Sequence, residues 1–299
     1  MATTPAGTSY TPTVHVNAMG DNNTYCLADA EVSTSTVKPV FLFCHGAGSA
    51  DNFFAASESV KGLRDRLIDH GWFVVEGDGW SPTHWGRPEA GESYAATLTE
   101  LAELFPLGPV TIMGRSMGGL VSSALATQDR YGIKPHVAGL MVNAGVQSLV
   151  WWGVTEGKTF SGAWPDPAID LEAFMEATED FDPLRWDPSV YAGLPVQWIS
   201  GTHDTSVDFT ANGLAQYNRV KQYAAHVEYH LKGLGTHDVN GDLSALAFNW
   251  DAQWDFARRS QGLHLDGGTS LDIVGEGSVN SHRALYRTPP WRQALPLSQ

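Results

Sequence analysis

The chain contains two cysteines among 299 residues, few basic side chains, and no apolar run long enough to cross a bilayer. Cys26 and Cys44 each fall in a predicted strand, so no structural disulfide is called for. Lys and Arg number 18 against 33 Asp and Glu, a formal net charge of −15. This charge repels nucleic-acid phosphates and anionic lipid, so we expect neither as a partner. Met1 to Tyr10 lacks the basic and apolar segments of a secretory signal, so we expect a cytoplasmic or virion-associated protein.

Apolar residues make up 42% of the chain, enough for the core of one large α/β domain. Continuous apolar runs such as Val37 to Cys44 and Val137 to Val142 are typical of strands buried on both faces. They alternate with helical patterns such as Tyr94 to Phe105. The alternation predicts an α/β fold with a doubly wound, mostly parallel sheet, whose ligands collect at the carboxyl ends of the strands.

The pattern divides the chain into four regions. The predicted core comprises residues 12–146 and 194–260, and residues 1–11 are expected to be a disordered leader. Residues 147–193 are rich in tryptophan and acidic side chains and predict a cap or lid over the active edge of the sheet. The alternative is a surface excursion whose tryptophans pack on the core. Residues 261–299 form a C-terminal extension that wraps the domain, adds strands, or contacts another copy or another chain.

A candidate nucleophile lies between a predicted strand and a predicted helix. Pro109 to Leu120 passes from a β-branched apolar run through Gly114-Arg115-Ser116-Met117-Gly118 into a helix. Gly-x-Ser-x-Gly in this setting is the pattern of a nucleophile elbow, in which strained backbone exposes the serine hydroxyl. Gly114 and Gly118 fit it because a Cβ two places either side of the serine would collide with crossing backbone. The alternative is a glycine-rich turn with an incidental serine.

A serine hydroxyl needs a base within hydrogen-bond reach and a third group that orients the base. Asp204 follows the predicted strand Pro195 to Ile199, and His237 follows the predicted strand Val227 to Leu231. The order serine, acid, histidine is the one expected on a sheet of this kind. We therefore predict Ser116 as nucleophile, His237 as general base and Asp204 as the orienting acid.

Other side chains compete for these roles. Asp208 lies close enough to Asp204 to exchange roles with it, and Asp182 precedes the same strand. His230 falls within a strand, where a structural histidine is expected. The His-Asp pairs at 203–204 and 237–238 lack the ligand spacing of a metal site, so we expect neither a metal nor another cofactor.

Attack on a carbonyl builds negative charge on its oxygen, which requires two preplaced N–H donors. We predict the backbone N–H of Met117 as one donor and that of Ala47, in His45-Gly46-Ala47-Gly48, as the other. Gly46 is the second choice. His45 itself is expected to support the loop.

Four segments carry a resemblance to a known family: His45-Gly46-Ala47-Gly48, Gly114-Arg115-Ser116-Met117-Gly118-Gly119, Gly201-Thr202-His203-Asp204 and Gly233-Leu234-Gly235-Thr236-His237. Together they resemble the α/β-hydrolase superfamily, of the serine esterase and lipase type. The resemblance covers roughly residues 12 to 260 and implies an eight-stranded sheet, a covalent acyl-enzyme and hydrolysis by water. The extension after residue 260 departs from the family pattern.

The expected function is therefore a carboxylic ester hydrolase acting on a small-molecule or polymer-borne ester. Trp80, Trp85, Trp151 and Trp152 are predicted to form an aromatic wall for an apolar acyl chain, an aromatic acid or a sugar face. Burial in the seam between cap and core is the alternative for each. The alternative function is a binding or structural protein on a hydrolase scaffold, such as a virion or surface component.

Overall fold

The structure, a computed structural model, describes residues 1–49, 52–58, 60–233, 235–237 and 250–262. The predicted extension from residue 263 onward lies outside the described residues. The strands are β1 (Ala2–Thr3), β2 (Ser9–Tyr10), β3 (Thr13–Val16), β4 (Asn22–Cys26), β5 (Lys38–Cys44), β6 (Phe73–Gly77), β7 (Leu107–Arg115), β8 (Val137–Asn143), β9 (Pro195–Gly201) and β10 (His226–Lys232). The helices are α1 (Phe53–Ala56), α2 (Lys61–Asp69), α3 (Pro88–Leu104), α4 (Gly118–Thr127), α5 (Leu171–Ala177), α6 (Gly213–Val220) and α7 (Trp250–Ser260).

Within the described residues, eight strands form one sheet in the order β10-β9-β8-β7-β5-β6-β4-β3. The pairs from β10 to β6 are parallel, and β4 and β3 complete the sheet antiparallel. The chain alternates strand and helix through this region because each parallel neighbour requires a crossover. The predicted doubly wound, mostly parallel α/β sheet is confirmed.

Two apolar layers cover the faces of the sheet. Along β5, Val40 and Leu42 pack toward α3 and α4, whereas Phe41 and Phe43 pack toward α1, α2 and α7. Alternate side chains of a strand point to opposite faces, so a strand covered on both sides must be apolar throughout. This explains why β5 and the strands beside it read as continuous apolar runs.

The segment between β8 and β9 forms a separate apolar cluster above the sheet. It contains the π-helical turn Trp151–Thr155, the helix α5 and several short turns. Phe160, Trp164 and Phe174 of this segment are buried together with Trp85 and Met117 of the core. The segment thus packs beside the nucleophile elbow, and its action as a lid stays a prediction.

The N-terminal residues differ from the expected disordered leader. β1 and β2 pair antiparallel, with Ala2 opposite Tyr10. Tyr10 is 3% exposed, and the Arg64 guanidinium lies 5.9 Å from its ring centroid. The small polar composition of residues 1–9 concealed this aromatic anchor, which orders the segment by burying its ring against α2.

In the described part of the chain, no helix is both long and apolar enough to cross a membrane.

Candidate active site

Ser116 lies at the turn between β7 and α4 with φ +52°, in the left-handed region. Its N–H donates to Asn143 O (3.1 Å), and its carbonyl oxygen accepts from Val146 N–H (2.9 Å). A Cβ at Gly118 would lie 2.1 Å from Cys44 O, and one at Gly114 would lie 2.4 Å from Gly118 O. The elbow therefore needs both glycines, because real Cβ atoms do not approach backbone so closely.

The structure brings the three predicted side chains together. Ser116 Oγ lies 2.9 Å from His237 Nε2, and His237 Nδ1 lies 2.9 Å from Asp204 Oδ2. Their backbones follow β7, β10 and β9, which are parallel and end at the same edge of the sheet. A carboxylate that accepts from Nδ1–H leaves Nε2 as the acceptor for the serine proton.

Asp204 is held rigidly in its loop. Its Oδ1 accepts from the N–H groups of Ser206 (2.9 Å) and Val207 (2.8 Å), and its side chain is 1% exposed. Charge-assisted bonds of this kind satisfy the carboxylate oxygen that does not face the imidazole. The arrangement orients the imidazole of His237.

The competing side chains have other partners. Asp208 accepts from the N–H groups of Thr210 and Ala211, as a local turn cap. Asp182 is fully buried and accepts from the N–H groups of Val150 and Leu184. His230 lies 3.0 Å from a Glu228 carboxylate oxygen on its own strand.

The two predicted oxyanion donors are the backbone N–H groups of Met117 and Ala47. Met117 is the N-cap residue of α4, and Ala47 lies in the turn after β5. Among the described residues, no acceptor hydrogen-bonds to the N–H of either one. A Cβ at Gly46 would lie 3.2 Å from Ser116 Cβ, so glycine allows the loop to approach the nucleophile. The oxyanion role of these two amides stays a prediction.

His45 is buried and supports this loop. Its Nε2 lies 2.8 Å from Asp78 O and its Nδ1 lies 2.7 Å from Gly46 O. The N–H of Gly48 donates to Pro82 O (2.7 Å). These contacts tie the turn after β5 to the loop after β6.

The four predicted substrate-binding tryptophans separate into two groups. Trp85 is 5% exposed, and its ring centroid lies 4.6 Å from that of Trp152. Its carbonyl oxygen accepts from Trp164 Nε1 (2.7 Å). Trp85 is thus buried in the seam between cap and core, which is the alternative given for it, and its predicted place in the aromatic substrate wall is corrected.

The remaining three tryptophans are more accessible. Trp80 is 43% exposed, and the Arg87 guanidinium lies 5.9 Å from its ring. Trp151 and Trp152 are half-buried, and the ammonium of Lys158 lies 5.8 and 4.4 Å from their rings. Lys158 also donates to Ser206 O (3.0 Å), which places this aromatic pair beside the Asp204 loop.

One side chain at the site was not found by sequence reasoning. Arg115 Nη2 donates to the carbonyl oxygen of His237 at 3.1 Å. Arg115 occupies a variable position of the Gly-x-Ser-x-Gly pattern, so nothing in the motif singled it out. In the described residues, no group of three or more His, Cys, Asp and Glu side chains is arranged to hold a metal ion.

No family model matches the sequence, and no curated protein matches it. Solved structures do resemble it. The acylaminoacyl peptidase of Pyrococcus horikoshii has TM-score 0.64 and 15% identity, over 87% of this chain and 43% of that one. A puromycin hydrolase has TM-score 0.60 and 15% identity, over 87% and 40%. An esterase of Pyrococcus furiosus has TM-score 0.58 and 16% identity, over 85% and 92%.

The chain thus spans about two fifths of the length of the peptidase and the puromycin hydrolase, and the match covers nearly all of the esterase. With its strand order, these similarities show that the chain has the α/β-hydrolase fold. The fold is shared by proteins of many activities, so the activity of this protein must be argued from the residues of its site.

Proposed function

We propose that this protein is a serine hydrolase that cleaves carboxylic esters through an acyl-enzyme intermediate. The observation that carries the proposal is the continuous hydrogen-bonded chain from Ser116 Oγ through His237 to Asp204. Serine without an adjacent base is a weak nucleophile at neutral pH, and this arrangement supplies the base and its orienting carboxylate.

In the proposed reaction, Ser116 Oγ attacks the carbonyl carbon while His237 Nε2 takes the hydroxyl proton. The carbonyl oxygen becomes an anion facing the N–H groups of Met117 and Ala47. The tetrahedral intermediate expels the alcohol, which receives the proton from His237. Water then attacks the acyl-enzyme with His237 again as base, and collapse releases the carboxylic acid and restores the Ser116 hydroxyl.

One observation supports ester rather than peptide substrates, and a second concerns the acyl group. The Pyrococcus furiosus esterase matches over nearly its whole length, whereas more than half of the peptidase and puromycin hydrolase chains have no counterpart here. The half-buried rings of Trp151 and Trp152 beside the Asp204 loop offer apolar area to an acyl chain or an aromatic acid.

Active-site labelling and hydrolysis together test the proposal. A fluorophosphonate should add once to the wild-type protein and not to Ser116→Ala, as measured by intact mass. Hydrolysis of p-nitrophenyl esters should be lost in the same variant. Absence of an adduct on folded wild-type protein would favour a binding or structural role.

The same acyl groups presented as p-nitroanilides separate ester from amide hydrolysis. We expect the esters to have a higher kcat/KM than the matching anilides. The ratio of the two kcat/KM values should exceed the ratio of their uncatalysed hydrolysis rates. Anilides cleaved as fast as the matching esters would assign the protein to peptide or amide hydrolysis.

A further inference from the structure

Arg115 contacts three separate parts of the active edge. Its Nη2 donates to His237 O (3.1 Å), and its guanidinium carbon lies 5.5 Å from the ring centroid of Phe53 in α1. A Cβ built at Gly46 would lie 3.3 Å from Arg115 Nη1, so the guanidinium also lies against the turn that carries Ala47. One side chain thus joins β7, the turn after β5 that carries Ala47, and the loop after β10 that carries His237 (the histidine loop).

The loop after β9 that carries Asp204 (the acid loop) contacts the other side of the histidine loop. Thr202 N–H donates to Lys232 O (3.1 Å), and His203 N–H donates to Gly235 O (2.9 Å). A Cβ at Gly201 would lie 2.1 Å from Gly235 O, so the two loops are in close backbone contact. These bonds set His237 relative to Asp204, but they do not set it relative to Ser116.

We infer that Arg115 is a positioning residue that fixes the backbone of His237 relative to the Ser116 hydroxyl. The inference rests on the proposed function. Arg115 directly precedes the nucleophile. A hydrogen bond from its side chain to His237 O therefore connects the elbow to the histidine loop, and catalysis requires a fixed distance between these two parts. A misplacement of about 1 Å at a catalytic group can cost about 10²-fold in rate.

Hydrogen bonds to a buried carboxylate hold the helix on which Arg115 packs. Phe53 begins α1, where the carboxylate of the buried Glu76 accepts from the N–H groups of Phe54 and Ala55. A planar guanidinium can stack on a ring and donate in its own plane at once, which a lysine ammonium cannot do. Arginine at this position therefore holds the histidine loop in place relative to α1 and the elbow.

Arg115→Met removes the donors and keeps most of the side-chain length. We expect kcat for a p-nitrophenyl ester to fall about 10²-fold with KM changed by less than about twofold, because the loss affects the reacting geometry and not substrate binding. The rate constant of fluorophosphonate labelling should fall by a similar factor. Arg115→Lys, which keeps one donor on a similar stem, should recover part of both losses.

Arg130→Met is the matched control. The Arg130 guanidinium also stacks on an aromatic ring (4.3 Å from the Phe181 centroid) and approaches a carbonyl oxygen (Asp180 O, 3.5 Å). It follows the far end of α4, about 15 Å along the helix from Ser116. Arg130→Met should leave kcat and the labelling rate constant unchanged.

The outcomes separate the two proposals. A wild-type protein that does not react with the fluorophosphonate overturns the proposed function, and this inference with it. A reactive wild type with Arg115→Met labelled at the same rate overturns the inference alone. A rise in KM at constant kcat also overturns it, because Arg115 would then contact substrate.

Discussion

At the residue scale, hydrogen-bond partners distinguish two neighbouring carboxylates. Asp204 and Asp208 lie four positions apart, and each accepts from two backbone N–H groups. Asp204 also accepts from His237 Nδ1, because it lies at the end of β9 beside the end of β10. Asp208 uses its Oδ1 on its own turn and lies outside the triad.

Exchange of each carboxylate for an amide tests this assignment. Asp204→Asn should lower kcat by about 10⁴-fold, because an amide stabilises the wrong tautomer and cannot support the imidazolium. Asp208→Asn should stay within about threefold of wild type, as substitutions of exposed turn residues usually have small effects. Steady-state hydrolysis of one ester measures both. Near-normal rates for Asp204→Asn would contradict the assignment.

The backbone of Ser116 carries strain that a stability measurement can detect. With φ at +52°, any side chain at this position costs about 1 kcal/mol relative to glycine. Ser116→Gly should therefore be more stable than Ser116→Ala by about 1 kcal/mol, although both lack the hydroxyl. Urea unfolding of the two variants measures the difference. Equal stability, or a more stable alanine variant, would mean that residue 116 is not in the left-handed region.

At the element scale, Asp182 holds together the two ends of the segment between β8 and β9. Its Oδ2 accepts from Val150 N–H (3.0 Å) and the Ser148 hydroxyl (3.2 Å), and its Oδ1 accepts from Leu184 N–H (3.1 Å). Burial raises the pKa of Asp182 from 3.8 to about 6, despite these bonds. One buried carboxyl thus links Ser148 and Val150, near the start of the segment, to Leu184, near its end.

The raised pKa determines how the contribution of Asp182 to the free energy of unfolding changes with pH. The folded state holds the proton more tightly than the unfolded state, so the contribution is full below about pH 4 and is lost as pH rises through about 6. The advantage of wild type over Asp182→Asn in the free energy of unfolding should be larger at about pH 4.5 than at about pH 7.5, by about 2 kcal/mol. Urea unfolding of both proteins at both pH values measures it. An advantage that grows with pH would mean that the hydrogen bonds outweigh burial.

At the scale of the whole molecule, the N-terminal hairpin packs against α2 and the segment after β4. Thr4 Oγ1 donates to Asp69 at the end of α2, and Tyr10 bridges to Ala28 after β4. Tyr10 belongs to the same buried cluster as Leu63 and Leu67 of α2. The first residues therefore connect the antiparallel edge of the sheet to the helical layer.

Truncation of the buried ring tests the weight of this contact. Tyr10→Ala should lower the free energy of unfolding by about 3 kcal/mol, because it leaves a cavity against α2. Thr11→Ala, at an exposed neighbouring position, should change it by less than about 0.5 kcal/mol. Urea unfolding measures both. A Tyr10→Ala protein as stable as wild type would indicate that the hairpin does not dock.

Local pattern determined much of this protein. Continuous apolar runs, helical spacing and the glycines at 114 and 118 act between near neighbours in the chain, so the sheet type and the elbow followed from the sequence. The chain order of Ser116, Asp204 and His237 followed as well, because parallel strands bring their carboxyl ends to one edge.

The tertiary structure decided what depends on contacts between distant residues. It places Trp85 in a buried seam with Trp152 and Phe160, docks Tyr10 on α2, and aims Arg115 at the carbonyl of His237. Each of these side chains is compatible with exposure when its neighbours in sequence alone are considered. Burial and hydrogen bonding are set by the groups that folding brings alongside, and neither motif spacing nor periodicity records them.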